Sequence, residues 1–379
     1  MKTEIQEVIV LGTTHHNTLG VIRALGESPL HVSSILMLYG EKESYLSQSK
    51  YVNRSVFVEN AEGITAILLG MATEEKQIII AVTDDASHQL DINAEKLLPH
   101  FHFFKTNQQG QLTRFMDKEE QDTIAEQVGL YVPTNYTPDT VSYPCLLKPL
   151  ASIAGGKRVI ICNNKEEYHQ AITEFPHTRF QIQQYLQKEE EIVLVGMAVG
   201  NEVYIPAYVL KHRELWGGTT YSTVHPIGET DSQLLIQSKN LIKAIGYEGL
   251  FGIEFLLCEG KYYFIEVNLR TDATCYAVAV AGANLPLAYV LAVQGEPIDM
   301  IVNEPIQTID AMVEFRDIEF VLTRKLSPFK WFSQRNRCEC LYYKSRVDEK
   351  PYKINKMKLK RRLKTTFVYK IQKILRLKK

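Results

Sequence analysis

Four polar side chains stand out in one apolar stretch of the chain, FGIEFLLCEGKYYFIEVNLR: Glu254, Glu266, Asn268 and Arg270. The stretch is typical of two strands joined by a tight turn, where polar side chains are costly unless they bind something. Glu254 and Glu266 are an even number of residues apart, so a symmetric pairing places them directly opposite on one face. That pairing requires an odd loop, most simply Glu259-Gly260-Lys261.

The types of these residues indicate which ligand they bind. Asn268 lies two positions beyond Glu266 and shares its face, and Arg270 follows if the strand stays extended. Three hard oxygen ligands beside one cation suit Mg²⁺ bridged to nucleotide phosphates. The alternative is a solvated hairpin face, with the buried face formed by Ile253, Phe255, Leu257, Ile265 and Val267. We favour the metal site because a solvated face explains the amide and the arginine poorly.

A second pattern suited to phosphate lies in CLLKPLASIAGGKRVIIC, residues 145–162. Lys148 ends a predicted strand just before a proline, and the loop that follows contains Gly155-Gly156 and Lys157. Backbone N–H groups of a glycine loop can approach an anion closely, and a strand lysine beneath such a loop can grip phosphate. Taken alone, the pattern fits an ordinary hairpin equally well.

Further downstream, FQIQQYLQKEEEIVLVGMAVGN predicts a strand, a short connector and another strand. Gln183 and Gln184 have the donors and acceptors to read an adenine edge. Glu190 or Glu191 can accept hydrogen bonds from ribose hydroxyls. The alternative is that the two glutamates form a solvated turn.

The elements that position these residues begin with an alternating pattern. Residues 7–12, 31–38, 55–58 and 77–82 predict strands, with helices at 17–25 and 63–72. This order implies a parallel sheet, and ligands bind outside the carboxyl ends of its strands. Residues 12–17 and Asp84-Asp85 therefore lie near a cleft, although no G-x-G-x-x-G indicates a dinucleotide. A helix from about Thr113 to Val128 follows.

Composition predicts a reduced, cytoplasmic protein of two or three domains. The chain has 379 residues and six cysteines without zinc-ligand spacing. The N-terminus lacks a signal-peptide pattern, and no apolar run is long enough to span a bilayer. Thirteen lysines and arginines and no acid lie between Lys350 and Lys379, so the first 349 residues carry a net charge of −14.

This basic tail, residues 350–379, predicts an amphipathic helix. Its apolar positions are Phe367, Val368, Ile371, Ile374 and Leu375. Such a helix can lie on the inner face of a membrane or dock on an acidic protein, including the chain's own acidic body. Nucleic acid fits by charge alone, and no recognition motif supports a specific nucleic-acid contact.

Taken together, these residues resemble the ATP-grasp superfamily over about residues 5–300. The shared parts are D-K at Asp117-Lys118, K-P at Lys148, the glycine loop, the Q-x-Y-L connector and I-E-F…I-E-V-N-x-R. The last element is similar to that of biotin carboxylases and carbamoyl-phosphate-synthase-like ligases. NTLGVIRALGES, SKYVNRSVFV and the basic C-terminal region look more like the D-aspartate-ligase-type carboxylate–amine ligases.

The resemblance implies a chain of mixed α/β and α+β class. A Rossmann-like parallel-sheet domain at 1–112 would precede an ATP-grasp domain at 113–305. That domain would have a small lobe at about 130–187 and a large lobe at about 188–305. A C-terminal extension, 306–379, would end in the basic tail.

The resemblance also implies a site for ATP and Mg²⁺, for which Mn²⁺ can substitute. Lys118 and Lys148 would contact the phosphates, and Arg270 would steady the transferred phosphoryl group or a substrate carboxylate. The loop over the phosphates would use Ser152, Gly155, Gly156 and Lys157. The base and ribose would contact Gln183, Gln184, Tyr185, Leu186, Glu190 and Glu191. The metal ligands would be Glu254, Glu266 and Asn268.

The implied reaction joins a small-molecule carboxylate to an amine through an acylphosphate, on an amino-acid or cell-envelope precursor. A homodimer is the oligomer that we consider. A small-molecule kinase and a non-catalytic nucleotide-binding module are the alternatives. Candidate substrate contacts lie at His15, His16, Asn17 and Arg23, and in a predicted loop, KHRELWGG, with His212, Arg213 and Trp216. Arg213 could bind an acidic substrate, although surface histidines and a packed tryptophan explain these residues equally well.

Overall fold

The computed structural model describes residues 7–41, 44–149, 159–174 and 179–376. The first unit is a five-stranded parallel sheet in the order β3-β2-β1-β4-β5. Its strands are β1 (Val8–Gly12), β2 (Ser34–Tyr39), β3 (Val52–Val58), β4 (Gln77–Ala81) and β5 (Phe101–His102). Its helices are α1 (His16–Gly26), α2 (Ile64–Met71), α3 (Asp84–Ile92) and α4 (Ala94–Leu97). The predicted parallel sheet is confirmed, with β5 as an additional edge strand.

A break at Asp117 divides the helix that was predicted as one element. The structure has α5 (Gln111–Arg114) and α6 (Lys118–Gln127) instead. Asp117 is in an extended conformation, and its carboxylate accepts hydrogen bonds from the backbone N–H groups of Glu119 and Glu120. An aspartate in this capping role begins a new helix. Lys118 is therefore fixed at the first position of α6.

The next unit is a small four-stranded sheet in the order β6-β9-β7-β8. Its elements are β6 (Asn135–Tyr136), β7 (Cys145–Pro149), β8 (Ile160–Cys162), α7 (Lys165–Glu174) and β9 (Phe180–Gln184). It has a hydrophobic cluster of its own, formed by Cys145, Leu147, Cys162, Tyr168, Ala171 and Ile182. This unit lies within residues 130–187, for which the sequence predicts a small lobe.

The largest sheet has seven strands in the order β14-β13-β10-β11-β12-β15-β16. They are β10 (Glu190–Val199), β11 (Glu202–Leu215), β12 (Gly218–Pro226), β13 (Gly249–Cys258), β14 (Lys261–Asn268), β15 (Ile309–Met312) and β16 (Cys340–Leu341). The helices of this part are α8 (Ser232–Ile245), α9 (Cys275–Ala281), α10 (Leu285–Val293), α11 (Asp299–Val302), α12 (Glu314–Asp317), α13 (Glu319–Leu322), α14 (Pro328–Arg337) and α15 (Glu349–Arg376). Two of the strands, β15 and β16, come from the region predicted as an extension.

The turn between β13 and β14 differs from the predicted three-residue loop. Cys258 pairs with Lys261, so the loop consists of Glu259 and Gly260, with φ angles of 50° and 71°. Two left-handed residues make the tight turn that matches strand twist. A bulge after Glu254 restores the register, so Glu254 still pairs with Glu266. The odd-loop prediction is therefore wrong, whereas the pairing that it was meant to explain is confirmed.

A buried arginine joins the C-terminal region to the first unit. Arg23 of α1 is fully buried and places Nε 3.1 Å from Oδ2 of Asp348. Its other nitrogens donate to the backbone carbonyls of Tyr342, Tyr343 and Asp348 at 2.7–3.1 Å. The first and last parts of the described chain are thus held in one body.

No single helix in the described ranges is long and apolar enough to cross a membrane. The bent pair of α9 and α10 passes the same test of length and composition, at an angle of 93°. Most residues of both helices are buried inside the protein.

Candidate active site

Two carboxylates meet across the β13–β14 hairpin. Glu254 and Glu266 form a directly opposed pair, and the pair of Gly252 and Asn268 lies two positions further along the same face. The Asn268 side chain donates from Nδ2 to Oε1 of Glu254 at 3.3 Å. The structure therefore brings the three predicted metal ligands together, while their role remains a prediction.

Cations lie on both sides of this group. Nζ of Lys118 is 3.4 Å from Oε2 of Glu266. Arg270 donates from Nη2 to Oδ1 of Asn268 at 2.9 Å, and its Nε is 2.8 Å from Oδ1 of Asp84. Although burial opposes the shift, Asp84 and Asp272 hold the pKa of Arg270 above its ordinary value. Because Asp84 begins α3 at the carboxyl edge of the parallel sheet, Arg270 connects the hairpin with the first unit.

Lys211 is a third cation, and it contacts the carboxylate pair directly. Its Nζ lies 2.8 Å from Oε2 of Glu254, 2.6 Å from Oε1 of Glu191 and 3.4 Å from Oε1 of Glu214. Burial works against the charged form, but these carboxylates hold the pKa of Lys211 well above its ordinary value. Lys211 therefore stays protonated and extends the charged network from β13 across to β11.

The electrostatics of Glu254 fit a bound cation. Burial, chiefly, raises the pKa of Glu254, the Glu266 carboxylate adds to the rise, and Lys211 opposes it. A buried carboxylate beside a second one favours any added positive charge. The described residues contain no group of three or more His, Cys, Asp or Glu side chains arranged for a metal. Two carboxylates and one amide oxygen nevertheless form a hard donor set that fits Mg²⁺.

Lys148 occupies the small sheet and lies near helix α6. It is buried in β7 opposite Gln181. Burial raises the pKa of Asp122, a residue of α6, and the positive charge of Lys148 opposes that rise. The two predicted phosphate lysines, Lys118 and Lys148, are therefore both associated with α6, although they come from different units.

The two predicted adenine-reading glutamines are not in the connector. Both lie in β9, and the connector runs over residues 185–189. Gln183 is buried, and its Nε2 is 3.3 Å from Oδ2 of Asp122 and 3.2 Å from Oδ1 of Asn135. Oε1 of Gln184 accepts from the backbone N–H of Thr134 at 3.3 Å. Oε1 of Gln183 is buried and has no hydrogen-bond partner among the described residues, so reading of an adenine edge by these side chains stays a prediction.

The other predicted nucleotide contacts are distributed along the connector and the strand after it. Tyr185 and Leu186 lie in the connector, and Leu186 is buried. Glu190 is exposed at the start of β10. Glu191 is engaged by two lysines, with Oε1 2.6 Å from Nζ of Lys211 and Oε2 2.8 Å from Nζ of Lys188. Burial opposes the shift, yet these lysines hold the pKa of Glu191 below its ordinary value.

The predicted glycine loop lies outside the described residues. This applies to Ser152, Gly155, Gly156 and Lys157. Their assignment to the phosphates therefore stays a prediction from the sequence.

A fourth cation, Arg316 of α12, lies at the carboxyl end of β1. Its Nη1 is 3.2 Å from Nε2 of His15, and its Nη2 donates to the backbone carbonyl of Leu215 at 2.8 Å. Burial, chiefly, together with the charges of Arg316 and Arg270, lowers the pKa of His15 to about 4. Nδ1 of His15 is also 3.3 Å from the backbone N–H of Asn17, and a neutral imidazole has one acceptor nitrogen, so His15 accepts from only one of these two donors at a time. In the described part of the chain, no carboxylate lies within ion-pair distance of Arg316.

Buried polar groups without partners belong to the residues that flank His15 in the chain. Oγ1 of Thr14, Nδ1 of His16 and Oδ1 of Asn17 have no hydrogen-bond partner among the described residues. Burial, chiefly, lowers the pKa of His16 well below its ordinary value, so His16 is neutral as well. Buried polar groups are normally satisfied, so this cluster is suited to a polar ligand.

Two predicted substrate contacts are structural instead. Arg213 binds Asp317 through two hydrogen bonds, at 2.9 and 2.8 Å, and contacts Gln334 at 2.8 Å. Arg23 is fully occupied by Asp348 and three carbonyls. A substrate role for either arginine is therefore wrong, because each guanidinium is already neutralised by an acid of the C-terminal region.

The predicted loop at 211–218 is largely strand. β11 continues to Leu215, and only the turn at Trp216 and Gly217 interrupts it before β12 begins at Gly218. Trp216 is 79% exposed, which excludes the packed tryptophan of the alternative reading. Nε2 of His212 lies 2.7 Å from Oγ1 of Thr223, on the neighbouring strand.

Sequence reasoning missed Lys211 and Arg316 as site residues. For Lys211 a signal exists, since alternate residues of β11 before it, Val203, Ile205, Ala207 and Val209, are all buried. Extending that alternation by one step places Lys211 on the same face. Arg316 follows a short strand within a charged segment, EFRDIEF, and no periodic pattern there distinguishes it.

Comparison with known proteins agrees with this arrangement. The ATP-grasp domain family matches residues 116–274. The chain is 29% identical over 168 residues to a D-alanine–D-alanine ligase of Fusobacterium nucleatum, covering 42% of this chain and 58% of the relative. It is 28% identical over 224 residues to a formate-dependent phosphoribosylglycinamide formyltransferase of Bacillus velezensis, covering 53% and 56%. The chain thus spans less than two thirds of the length of these curated relatives.

Solved structures extend the likeness of fold to most of the chain. The N5-carboxyaminoimidazole synthetase of Staphylococcus aureus has a TM-score of 0.68 at 12% identity, covering 85% of this chain and 86% of that one. At such identity the likeness concerns the fold alone, and it confirms the predicted fold class. We conclude that residues 116–274, which include the hairpin carrying Glu254 and Glu266, match the ATP-grasp domain.

Proposed function

We propose that the chain is an ATP- and Mg²⁺-dependent carboxylate–amine ligase that acts through an acylphosphate. The observation that carries the proposal is the pair of Glu254 and Glu266 with Lys118, Lys211 and Arg270 around it, inside an ATP-grasp domain. This is the charge pattern needed to hold a nucleotide triphosphate with its metal. The relatives that match this domain include a ligase by name.

In the proposed reaction, a substrate carboxylate oxygen attacks the γ-phosphorus of ATP, and ADP leaves. An amine then attacks the acyl carbon of the acylphosphate, and inorganic phosphate leaves. The protein acts mainly by positioning the reactants and neutralising charge. Glu254, Glu266 and Asn268 would hold Mg²⁺, which neutralises phosphate charge when bound. Lys118 and Lys148 would bind phosphate oxygens, and Arg270 would stabilise the phosphoryl group during its transfer.

The substrate end of the site is assigned to Arg316. This guanidinium has a neutral histidine and a backbone carbonyl as its described polar contacts, so its charge is available to an anion. Because His15 has a pKa of about 4, it stays neutral at physiological pH and does not repel Arg316. The Gly218 backbone passes close to the guanidinium, where an added Cβ would be 3.1 Å from Nη1. We assign Arg316 to a carboxylate group of one of the two substrates.

The test of the proposed function is ADP release from ATP and Mg²⁺ with pooled amino acids and small carboxylates. Release that requires both a carboxylate and an amine supports the ligase. A stable phosphorylated product without amine dependence would instead indicate a small-molecule kinase. Nucleotide binding without release from any pool would favour a non-catalytic module. Each outcome separates one of the three functions from the others.

Lys148 provides a test of the nucleotide end. We expect Lys148→Ala to weaken ATP binding by about tenfold to a hundredfold, because a charge-assisted hydrogen bond is lost. Isothermal titration with ATP measures the change. Lys165→Ala is the matched control, since Lys165 is exposed in the same unit. Equal ATP affinity for the two variants would mean that Lys148 does not bind phosphate.

Arg316 provides a test of the substrate end. We expect Arg316→Gln to raise the KM of the anionic substrate by about tenfold to a hundredfold, again through loss of a charged hydrogen bond. The KM for ATP should change little, because Arg316 is not assigned to the nucleotide. Arg54→Gln, at an exposed arginine of β3, is the control. A selective rise in the KM for ATP would contradict the assignment.

Cytoplasmic location, homodimer formation and contact of the basic tail with a membrane or an acidic protein belong to the same proposal. None of these properties is needed for the chemistry described above.

A further inference from the structure

Helix α14 exposes two aromatic rings to solvent. Phe329 is 88% exposed and Phe332 is 57% exposed, and a separation of three residues places them on one face of the helix. The opposite side is anchored, since Trp331 is 4% exposed and packs with Tyr221 and Met312. The helix is therefore packed against the protein on one side, and its aromatic face is exposed to solvent. An exposed apolar patch can mark an interaction site when a second feature beside it points to the same partner.

A basic cavity of about 340 Å³ adjoins the C-terminal end of α14. Its lining includes Arg335, Asn336, Lys344 and Arg346. Arg335 and Asn336 follow Phe332 by three and four positions, so the cavity continues from the aromatic face. None of the three cations has a carboxylate within ion-pair distance in the ranges that the structure describes. The cavity thus offers three available cations to an anion.

The acid that lines the cavity is already engaged. Glu339 contributes to the wall, and its Oε2 accepts from the backbone N–H of Asp310 at 2.9 Å. Between Arg324 and Arg346 the sequence has seven lysines and arginines and one acid. The segment of the chain that contains α14 is therefore strongly basic.

The charge of the whole chain is polarised in the same direction. From Arg324 to Lys379 there are 20 basic and 3 acidic residues, a net charge of +17, and the preceding 323 residues therefore carry −18. An anionic surface attracts the basic C-terminal region and repels the acidic part before it. This difference orients the protein as it approaches the surface. The helix α15 extends this basic region, and its Arg362 pairs with Glu319 of α13 at 2.5 Å.

We propose that α14 docks on an anionic phospholipid surface. Phe329 and Phe332 enter the interface, and the basic cavity receives a lipid phosphate. Two weak signals, an apolar insertion and a basic patch, together give stable membrane binding where one alone does not. A soluble phosphate would account for the cavity and would leave the two aromatic rings unexplained. The charge of the region and the aromatic face together select the lipid surface.

Vesicle sedimentation of the full chain tests the proposal. We expect binding to vesicles that contain phosphatidylglycerol and none to vesicles of phosphatidylcholine alone. Replacement of both rings, Phe329→Ser with Phe332→Ser, should weaken binding to anionic vesicles at least about tenfold. Met300→Ser is the matched control, because Met300 is 85% exposed in α11. Unfolding temperature serves as the check of fold for each variant.

The cavity is tested separately. Arg335→Gln with Arg346→Gln should weaken binding about twenty-five-fold, roughly fivefold for each cation near the surface. The control with equal loss of charge is Lys96→Gln with Lys243→Gln, at exposed lysines of the first unit and α8. Full displacement from vesicles by inorganic phosphate at constant ionic strength would assign the cavity to a soluble anion. That result, or unchanged binding of both α14 variants, would overturn the proposal.

Discussion

Replacing Glu266 with glutamine is expected to reduce Mg²⁺- and ATP-dependent ADP formation by about a thousandfold. The change removes one of two opposed carboxylates while keeping nearly the same shape and volume. It also removes the negative charge that raises the pKa of Glu254, so the remaining carboxylate becomes easier to ionise. Loss of a charged group that acts on a developing transition state costs about 10²–10³ in rate. Initial rates of ADP release over a range of Mg²⁺ concentrations measure the effect.

Glu259→Gln is the matched control for this experiment. Glu259 lies in the turn of the same hairpin, is exposed, and loses the same charge. We expect wild-type rates for this control and an unfolding temperature close to the wild type for both variants. A normal rate of ADP formation by Glu266→Gln would contradict the assignment of Glu266 as a Mg²⁺ ligand. Restoration of the lost rate by raised Mg²⁺ would strengthen it, since a weakened site fills at higher metal concentration.

Replacing Asp348 with asparagine is expected to destabilise the protein by about 3–5 kcal/mol, the usual cost of breaking a buried ion pair. Oδ2 of Asp348 lies 3.1 Å from Nε of Arg23, which is fully buried, and it also accepts from Oγ of Ser49 at 2.9 Å. Asparagine keeps the size of the side chain but leaves the arginine charge without compensation. Urea unfolding followed by tryptophan fluorescence measures the change.

Trp331 makes this measurement informative for the C-terminal region. It is 4% exposed, whereas Trp216 is 79% exposed, so the change in emission on unfolding comes mainly from Trp331. Glu349→Gln is the neighbouring control, because the Glu349 side chain is 52% exposed. A loss of stability no larger than that of the control would show that Arg23 finds another partner.

The central part of the site was predictable because it depends on local rules. The period of a strand places Glu266 and Asn268 on one face of β14, and a symmetric pairing opposes Glu254 to Glu266. The turn itself was not predictable from the pairing, because a bulge between Glu254 and Phe255 exchanges one loop residue for one strand residue. Two different local arrangements give the same opposed pair, and the sequence pattern does not distinguish them.

The less local parts of the site were harder to infer. Arg213 and Arg316 differ in their surroundings. Arg213 contacts Asp317, whereas Arg316 contacts His15. Asp317 is 104 positions from Arg213 in the chain, and His15 is 301 positions from Arg316. Composition and spacing carry no information on such contacts. A long-range partner therefore decides whether a given arginine is structural or available to a ligand.

The bond between Arg23 and Asp348 also has a consequence for synthesis of the chain. The two residues are 325 positions apart. At the usual rate of translation, roughly 16 to 65 s pass between their incorporation. During that time Arg23 lacks the Asp348 carboxylate and the three carbonyls that it contacts in the finished protein. The surroundings of Arg23 are therefore completed only after residues 342–348 have been synthesised, so the packing of α1 depends on a late part of the chain.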